Sequence, residues 1–387
     1  MFKKNGIKLA GTNSCTGCGV CALVCPQQCI IMEEDNQGHL FPRITENSCL
    51  KCGLCENSCV VLHPVELKPI IQAYASWTKH DYDYKTTASG GIATVLSKYM
   101  IGQKGVVYGC AMLPDVEVRH MRVEKVEVLE WLKSSKYVQS SITAIIPQLK
   151  ADVYEGKQTL FIGTPCQVAA IKGLFTNQPD NLFLVDLICH GVPSLKSLKG
   201  HISKVAKGKK ADRVVFREVG NRFVFAVYDH LGKQAYRMPL WPERYRDWYI
   251  NAFIDGYIYR NSCYQCGFAK PERCSDITIG DFWGLSSDEA IPSHDYGCSV
   301  VLPITNKGMM LVEAIKPLVN LYERDVQEAL SGNTQLRHPM RLTKRVRVYR
   351  NVQNVIKSPW MYYLLNVDRI SKIYIDKMKK KLSYDKR

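Results

Sequence analysis

Nowhere among the 387 residues is there a run of the roughly 18 consecutive apolar residues needed to cross a bilayer, which excludes a membrane-spanning helix. The start, Met1 to Ser14, has lysines but neither a sustained apolar stretch nor a small-residue cleavage site. No secretory leader is expected there, and the expected address is the cytoplasm. No repeat of solenoid period occurs, and long disordered tracts are missing too, since 46% hydrophobic and 23% charged residues match globular usage. Cysteine, at 16 residues, is too sparse for a small disulfide-stapled scaffold. At about 100 to 150 residues per domain, the length predicts two or three domains.

Sixteen cysteines are nevertheless many for a reducing compartment, so metal ligation is their expected use. The formal charge of +16 is uneven: residues 341–387 hold 14 Lys+Arg against 3 Asp+Glu, so the basicity belongs mostly to the tail. If the cysteines bind iron-sulfur clusters, each oxidised four-thiolate cubane carries about two negative charges, which weakens any case for general nucleic-acid binding.

Nine cysteines fall between Cys15 and Cys59. Cys15, Cys18, Cys21 and Cys25-Pro26 form one C-x2-C-x2-C-x3-C-P run, and Cys49, Cys52, Cys55 and Cys59 repeat the spacing. Three closely spaced thiolates grip three corners of a cube, while the fourth points toward the other cluster. The prediction is that Cys15, Cys18, Cys21 and Cys59 hold one 4Fe-4S cluster, and Cys49, Cys52, Cys55 and Cys25 the other. This resembles a bacterial two-cluster ferredoxin. Zinc modules instead set two cysteine pairs about a dozen or more residues apart. Val60 follows Cys59 where the first run has Pro26, and Cys29, surplus to the pattern, is read as a packed thiol.

Residues 1–65 therefore form one α+β ferredoxin-like domain. Beyond it, strand-like runs at 72–77, 106–111, 159–163 and 182–189 alternate with helical stretches at 92–100, 142–154, 168–175 and 195–205, which predicts an α/β domain around a mixed sheet. Short strands follow at 214–217, 223–228 and 234–238, with a turn at Asp229 to Gly232. In the tail, 341–387, Tyr363, Val367, Ile370, Tyr374, Met378 and Leu382 recur at helical spacing beside Lys372, Lys379 and Lys380. That is a basic amphipathic helix, docked on its own domain or set against a lipid surface or acidic partner.

Six further motifs occur in order: Thr87-Ala88-Ser89-Gly90-Gly91, Ser135 to Ser140, Gly163-Thr164-Pro165-Cys166-Gln167, Asp186 to Pro193 around Cys189-His190, Cys263-x2-Cys266, and Asp276 to Gly284. With them, residues from about 72 to 305 resemble the beta subunit family of coenzyme F420 hydrogenases and dehydrogenases. The resemblance implies an FAD-containing iron-sulfur oxidoreductase, with 70–155 as a flavin-binding region and 156–340 carrying a third cluster and the active site. It implies flavin contacts at Ser89, Gly90, Gly91, Thr94, Lys136, Tyr137, Gln139, Ser140, Gly163, Thr164, Pro165 and Gln167. Read by themselves, Ser89-Gly90-Gly91 fit a phosphate-facing helix start and a plain N-cap equally well, and Lys136 fits a phosphate partner or a solvated surface.

Cys166 and Cys189 each follow an apolar strand, where ligands collect in open α/β sheets, and Cys263 and Cys266 share a short loop. Spacing leaves a four-thiolate zinc and a third 4Fe-4S cluster both open; the resemblance favours the cluster. His190 is read as orienting the site through a hydrogen bond, Asp276 and Asp281 as turn formers of open function, and Cys110, Cys274 and Cys298 as buried or free thiols. The expected function is electron transfer between ferredoxin-type clusters and an FAD-linked hydride partner, coenzyme F420 or another reducible substrate. Its partner is a redox protein or a small hydride donor or acceptor. The competing class is a flavin-free relay serving a separate reductase.

Overall fold

The computed structural model of the chain describes residues 2–4, 7–220, 222–240, 247–286, 291–353, 360–372 and 374–375. Fifteen strands are named here: β1 Phe2–Lys4, β2 Ile7–Leu9, β3 Ile30–Glu34, β4 Leu40–Ile44, β5 Ala73–Thr78, β6 Val106–Leu113, β7 Glu117–Val123, β8 Thr159–Gly163, β9 Leu182–Leu187, β10 Arg213–Glu218, β11 Arg222–Tyr228, β12 Gln234–Pro239, β13 Ile277–Asp281, β14 Ser299–Pro303 and β15 Val319–Arg324.

Eight of them form one mixed sheet in the order β15-β5-β14-β13-β9-β8-β6-β7. Its centre, β13-β9-β8-β6, is parallel, and the flanking pairs are antiparallel. The central strands are near-continuous apolar runs because helices cover both faces. One face packs under the helices Ile146–Tyr154 and Pro165–Lys172, the other under Ile92–Gly102 and Asn306–Ile315. Residues 70–155 and 156–340 both feed this one sheet, since β5 pairs with β14 and β15.

A second, three-stranded sheet, β10-β11-β12, packs with the helices Leu195–Val205, Trp248–Ile254, Lys344–Gln353 and Trp360–Leu365 around Phe216, Phe225, Tyr249 and Tyr362. The expected turn closes it, with Gly232 N–H donating to Asp229 O. The N-terminal segment has two hairpins and two four-residue helices, Val20–Leu23 and Leu54–Asn57, one in each cysteine run. Val20 and Val60 pack into the core beneath Ile146–Tyr154 and Pro165–Lys172, which seats that segment on the main sheet's helical layer.

Several boundaries differ from the sequence reading. The helix expected from 168 begins at Pro165, because Thr164 and Gln167 cap each other reciprocally and proline suits a first helical position. The helix expected from 142 begins at Ile146, after a single 3-10 turn at Thr143–Ile145. β9 ends at Leu187, so Cys189 lies in the loop beyond it. In the tail, residues 360–365 and 367–372 are helical, but the inward side chains are Tyr362 and Asn366, while Val367 and Tyr374 of the expected stripe are exposed. Met378, Lys379, Lys380 and Leu382 lie outside the described residues. No helix among the described residues is long and apolar enough to cross a membrane.

Candidate iron-sulfur and cofactor sites

Each cysteine run places its first two thiols on a loop and its third inside the four-residue helix that the loop runs into. The helices touch, and the fourth cysteine of each run crosses to the other. One cavity is lined by Cys15, Cys18, Cys21 and Cys59, with Leu9 and Val60 among its apolar walls. A second is lined by Cys25, Cys49, Cys52 and Cys55, and also by Cys29. Cys29 is buried, with its Sγ 3.3 Å from that of Cys25. Among the described residues no three His, Cys, Asp or Glu side chains converge as they would on a single ion; the thiols stand around cavities instead.

Burial pushes the thiols of Cys18, Cys21 and Cys55 above their ordinary pKa, and in the first set neighbouring thiolates add to the rise. Desolvated thiolates crowded together need a cation, so the donor set fits a positively charged metal cluster. Cys25 behaves differently. Burial acts to raise it, but hydrogen bonds from Cys29 and from the backbone N–H groups of Cys29, Gln27 and Gln28 outweigh that and lower its pKa.

The parallel strands end on one edge of the sheet, and there the third set assembles. Cys166 sits in the first turn of Pro165–Lys172, Cys189 just past β9, and Cys263 and Cys266 on and beside the 3-10 turn Asn261–Gln265. Burial pushes Cys166 up to about 12 and Cys263 up to about 11. Cys189 is raised well above its ordinary value by burial and then by the charges of Cys263, Cys166 and Cys266. Cys18 of the first cavity also acts on Cys166, so the first and third sets are neighbours.

The residues implied as flavin contacts divide into two groups. Ser89-Gly90-Gly91 is buried against the sheet: Ser89 Oγ donates to Cys298 O at 2.9 Å, and Gly90 N–H to Ser299 Oγ at 2.9 Å. A Cβ on Gly90 would stand 2.2 Å from Ser76 O, so glycine is required there for close packing. Thr94 is buried in the helix that follows. Gln167 donates to Ser140 O and accepts from Thr164, Ser140 Oγ pairs with His120 Nδ1 at 3.0 Å, and Gln139 donates to Thr16 O at 3.0 Å. Gly163 ends β8, and Pro165 is buried.

Lys136 and Tyr137 make up the other group. Lys136 Nζ donates to the carbonyls of Leu132 and Lys133 at 2.6 and 2.7 Å, and among the described residues no carboxylate pairs with it. Burial pulls it down to about 8, opposed by Cys110. A part-buried ammonium held by carbonyls alone suits an anionic ligand. Tyr137 stacks on Phe253 at 4.7 Å, and its hydroxyl accepts from Arg217, which grips Asp281 bidentately at the end of β13. His190 is exposed nearby, its ring 6.5 Å from that of Phe253. Asp276 is structural: it accepts from Leu184 N–H, Gln178 and Thr305.

Two arginines were missed. Arg217 follows the pattern of a strand residue, and Arg260 stands alone three positions before Cys263; only the nearness to a ligand pair could have marked it. Cys274 and Cys298 are buried thiols and Cys110 is part-buried.

Comparison with known proteins puts this geometry in context. An uncharacterized protein of Methanocaldococcus jannaschii, MJ1349, is 26% identical over 44% of this chain and 55% of its own length, so the chain spans about half of that relative. A chain of the F420-reducing NiFe hydrogenase complex from Methanosarcina barkeri superposes with a TM-score of 0.47 at 17% identity, over 74% of this chain and 89% of that one. Family profiles match two segments: residues 14–61 match the 4Fe-4S dicluster domain, and residues 156–328 match the C terminus of the coenzyme F420 hydrogenase/dehydrogenase beta subunit.

Proposed function

We propose that the chain is an iron-sulfur flavoprotein. It would pass single electrons among two ferredoxin-type 4Fe-4S clusters, a third on Cys166, Cys189, Cys263 and Cys266, and an FAD that exchanges a hydride with coenzyme F420 or another reducible substrate. The observation that carries the reading is the file of thiol sets. The second cavity opens near exposed Cys52, Leu50 and Leu54, the first lies beside it, and the third adjoins the first through Cys18 and Cys166. A redox partner protein would meet the exposed end. Lys136 supports an anionic flavin group next to Tyr137, whose hydroxyl meets Arg217 and through it Asp281.

A second reading is a flavin-free relay. It is favoured by the inward hydrogen bonds of Ser89, Gly90, Thr164 and Gln167, which leave those groups committed to the protein itself. Anaerobic purification followed by iron, sulfide and flavin analysis separates the two. The flavoprotein reading expects about twelve irons and one FAD per chain, the relay about eight irons and none. Lys136→Met is expected to lose the FAD and keep the iron. Stoichiometric zinc with negligible iron would end both readings.

A further inference from the structure

The cavity of Cys15, Cys18, Cys21 and Cys59 has a neighbour that no sequence motif supplies. Arg260 is 1% exposed. Its Nε donates to Cys15 O at 2.7 Å and its Nη2 to Leu40 O at 2.6 Å, and Nη2 also lies 3.6 Å from Cys15 Sγ. The guanidinium plane covers the Phe41 ring at 4.1 Å. Nη1 is buried with no hydrogen-bond partner, and among the described residues no carboxylate pairs with the group. His39, the titratable group beside it, is held neutral by burial and by Arg260 and Arg350, and an imidazole supplies no negative charge in either protonation state.

A buried, unpaired cation is strongly unfavourable unless something anionic faces it. The backbone has been shaped to admit this one. Gly17, between Cys15 and Cys18, has φ +71, and a Cβ there would stand 2.6 Å from Nη1. Any other side chain would push the guanidinium off the loop that carries Cys15 and Cys18. The other end is fixed as well: Arg260 N–H donates to Val192 O at 3.0 Å, and Cys263 N–H to Arg260 O at 3.0 Å. The arginine is thus pinned to the third thiol set and reaches across to the first.

We infer that Arg260 donates N–H groups to the sulfurs of the cluster carried by Cys15, Cys18, Cys21 and Cys59 and thereby raises that cluster's reduction potential. The inference rests on the reading that these thiols hold a 4Fe-4S cluster. Reduction adds one negative charge to the cluster, and a fixed cation with donors aimed at its sulfurs favours the reduced state. Arg260 is a positioning and tuning residue. It makes the first cluster a better electron acceptor than the same cluster would be without the guanidinium.

The test is an EPR-monitored redox titration of the full chain, purified anaerobically, with iron counted first. The relevant signal is the one that Cys18→Ser abolishes. Arg260→Gln is expected to keep its iron and make this cluster about tenfold harder to reduce at a fixed potential, a downward shift of about 59 mV for one electron. Arg260→Lys should shift it less, and the cluster on Cys25, Cys49, Cys52 and Cys55 should stay put. Full iron with an unmoved potential, or equal shifts on every cluster, overturns the inference. Should both variants fail to load iron, wild-type protein carrying guanidinium-15N arginine decides. Pulsed EPR is expected to show nitrogen coupling on that signal, and its absence overturns the inference. Wild-type protein without iron would instead sink the cluster reading itself.

Discussion

Removing iron from the intact chain with a chelator under anaerobic conditions is expected to unfold residues 7–62 and leave the eight-stranded sheet folded. The N-terminal segment has almost no core of its own: its buried apolar cluster is Ile7, Leu9 and Ile30 together with the thiols of Cys29 and Cys55. Two-stranded hairpins such as β3–β4 are marginal alone, and a segment of about 60 residues is itself marginal, burying only about 60% of the surface its unfolded chain exposes. The interior of the segment is thiol-lined cavity, so metal binding supplies its folding free energy. Val20, Val60 and the Arg260 contacts tether it to the main sheet without replacing that interior. In hydrogen exchange, amides of β3 and β4 should lose protection by at least about 100-fold, about 2.8 kcal/mol, while those of β8 and β9 keep theirs. Unchanged protection in β3 and β4 after complete iron loss would show that the clusters are guests of a preformed fold.

Local signals carried much of this organisation. The doubled cysteine spacing is readable because its chemistry is local, three thiols within seven residues, and the two cavities pair the cysteines in the crossed manner that spacing suggests. The buried strands are readable because parallel strands covered on both faces must be apolar throughout. The start of the helix at Pro165 was present in the sequence as Thr164-Pro165-x-Gln167, a capping box around a first-position proline, although the helical stretch was expected only from 168.

What depends on residues far apart in the chain was not readable. β5 lies between β14 and β15, more than 200 positions downstream, and nothing in Ala73–Thr78 names those partners. Ser89-Gly90-Gly91 has the same local look in a phosphate loop and in a turn pressed against a strand. The atoms that decide, Ser76 O and Ser299 Oγ, belong to other strands. Arg260 is the extreme case. Arginine is almost never fully buried without a partner, so a lone one reads as surface, and the thiol loop it serves is 245 residues earlier.

Asp186→Ala is expected to destabilise the main domain by about 3–5 kcal/mol and, with the third thiol set holding a cluster as proposed, to empty that set while sparing the other two. Asp186 and Arg273 are both essentially inaccessible, with Nη2 2.7 Å from Oδ2. Thr278 Oγ1 donates to the other carboxylate oxygen, and Arg273 Nε donates to Thr278 Oγ1 at 3.2 Å. Burial raises the carboxyl's pKa, and Arg273 and Thr278 oppose that rise. Removing the carboxylate leaves the guanidinium charged in an apolar interior, the costly half of a broken pair. The damage should be local because Arg273 Nη1 also holds Phe268 O at 2.6 Å, two residues past Cys266, while Asp186 precedes Cys189 by three. One deletion therefore loosens both loops that bring thiols to the third set. Iron should fall from about twelve to about eight per chain, with the 14–61 domain still loaded. Replacing both partners by apolar residues of similar size, Asp186→Leu with Arg273→Met, should recover most of the denaturation midpoint, because no orphan charge remains. Iron should stay low in that double variant, since the Phe268 carbonyl is still unheld. If the two single losses simply add in the double variant, the pair does not act as a unit and the assignment of the third loop's anchor is wrong.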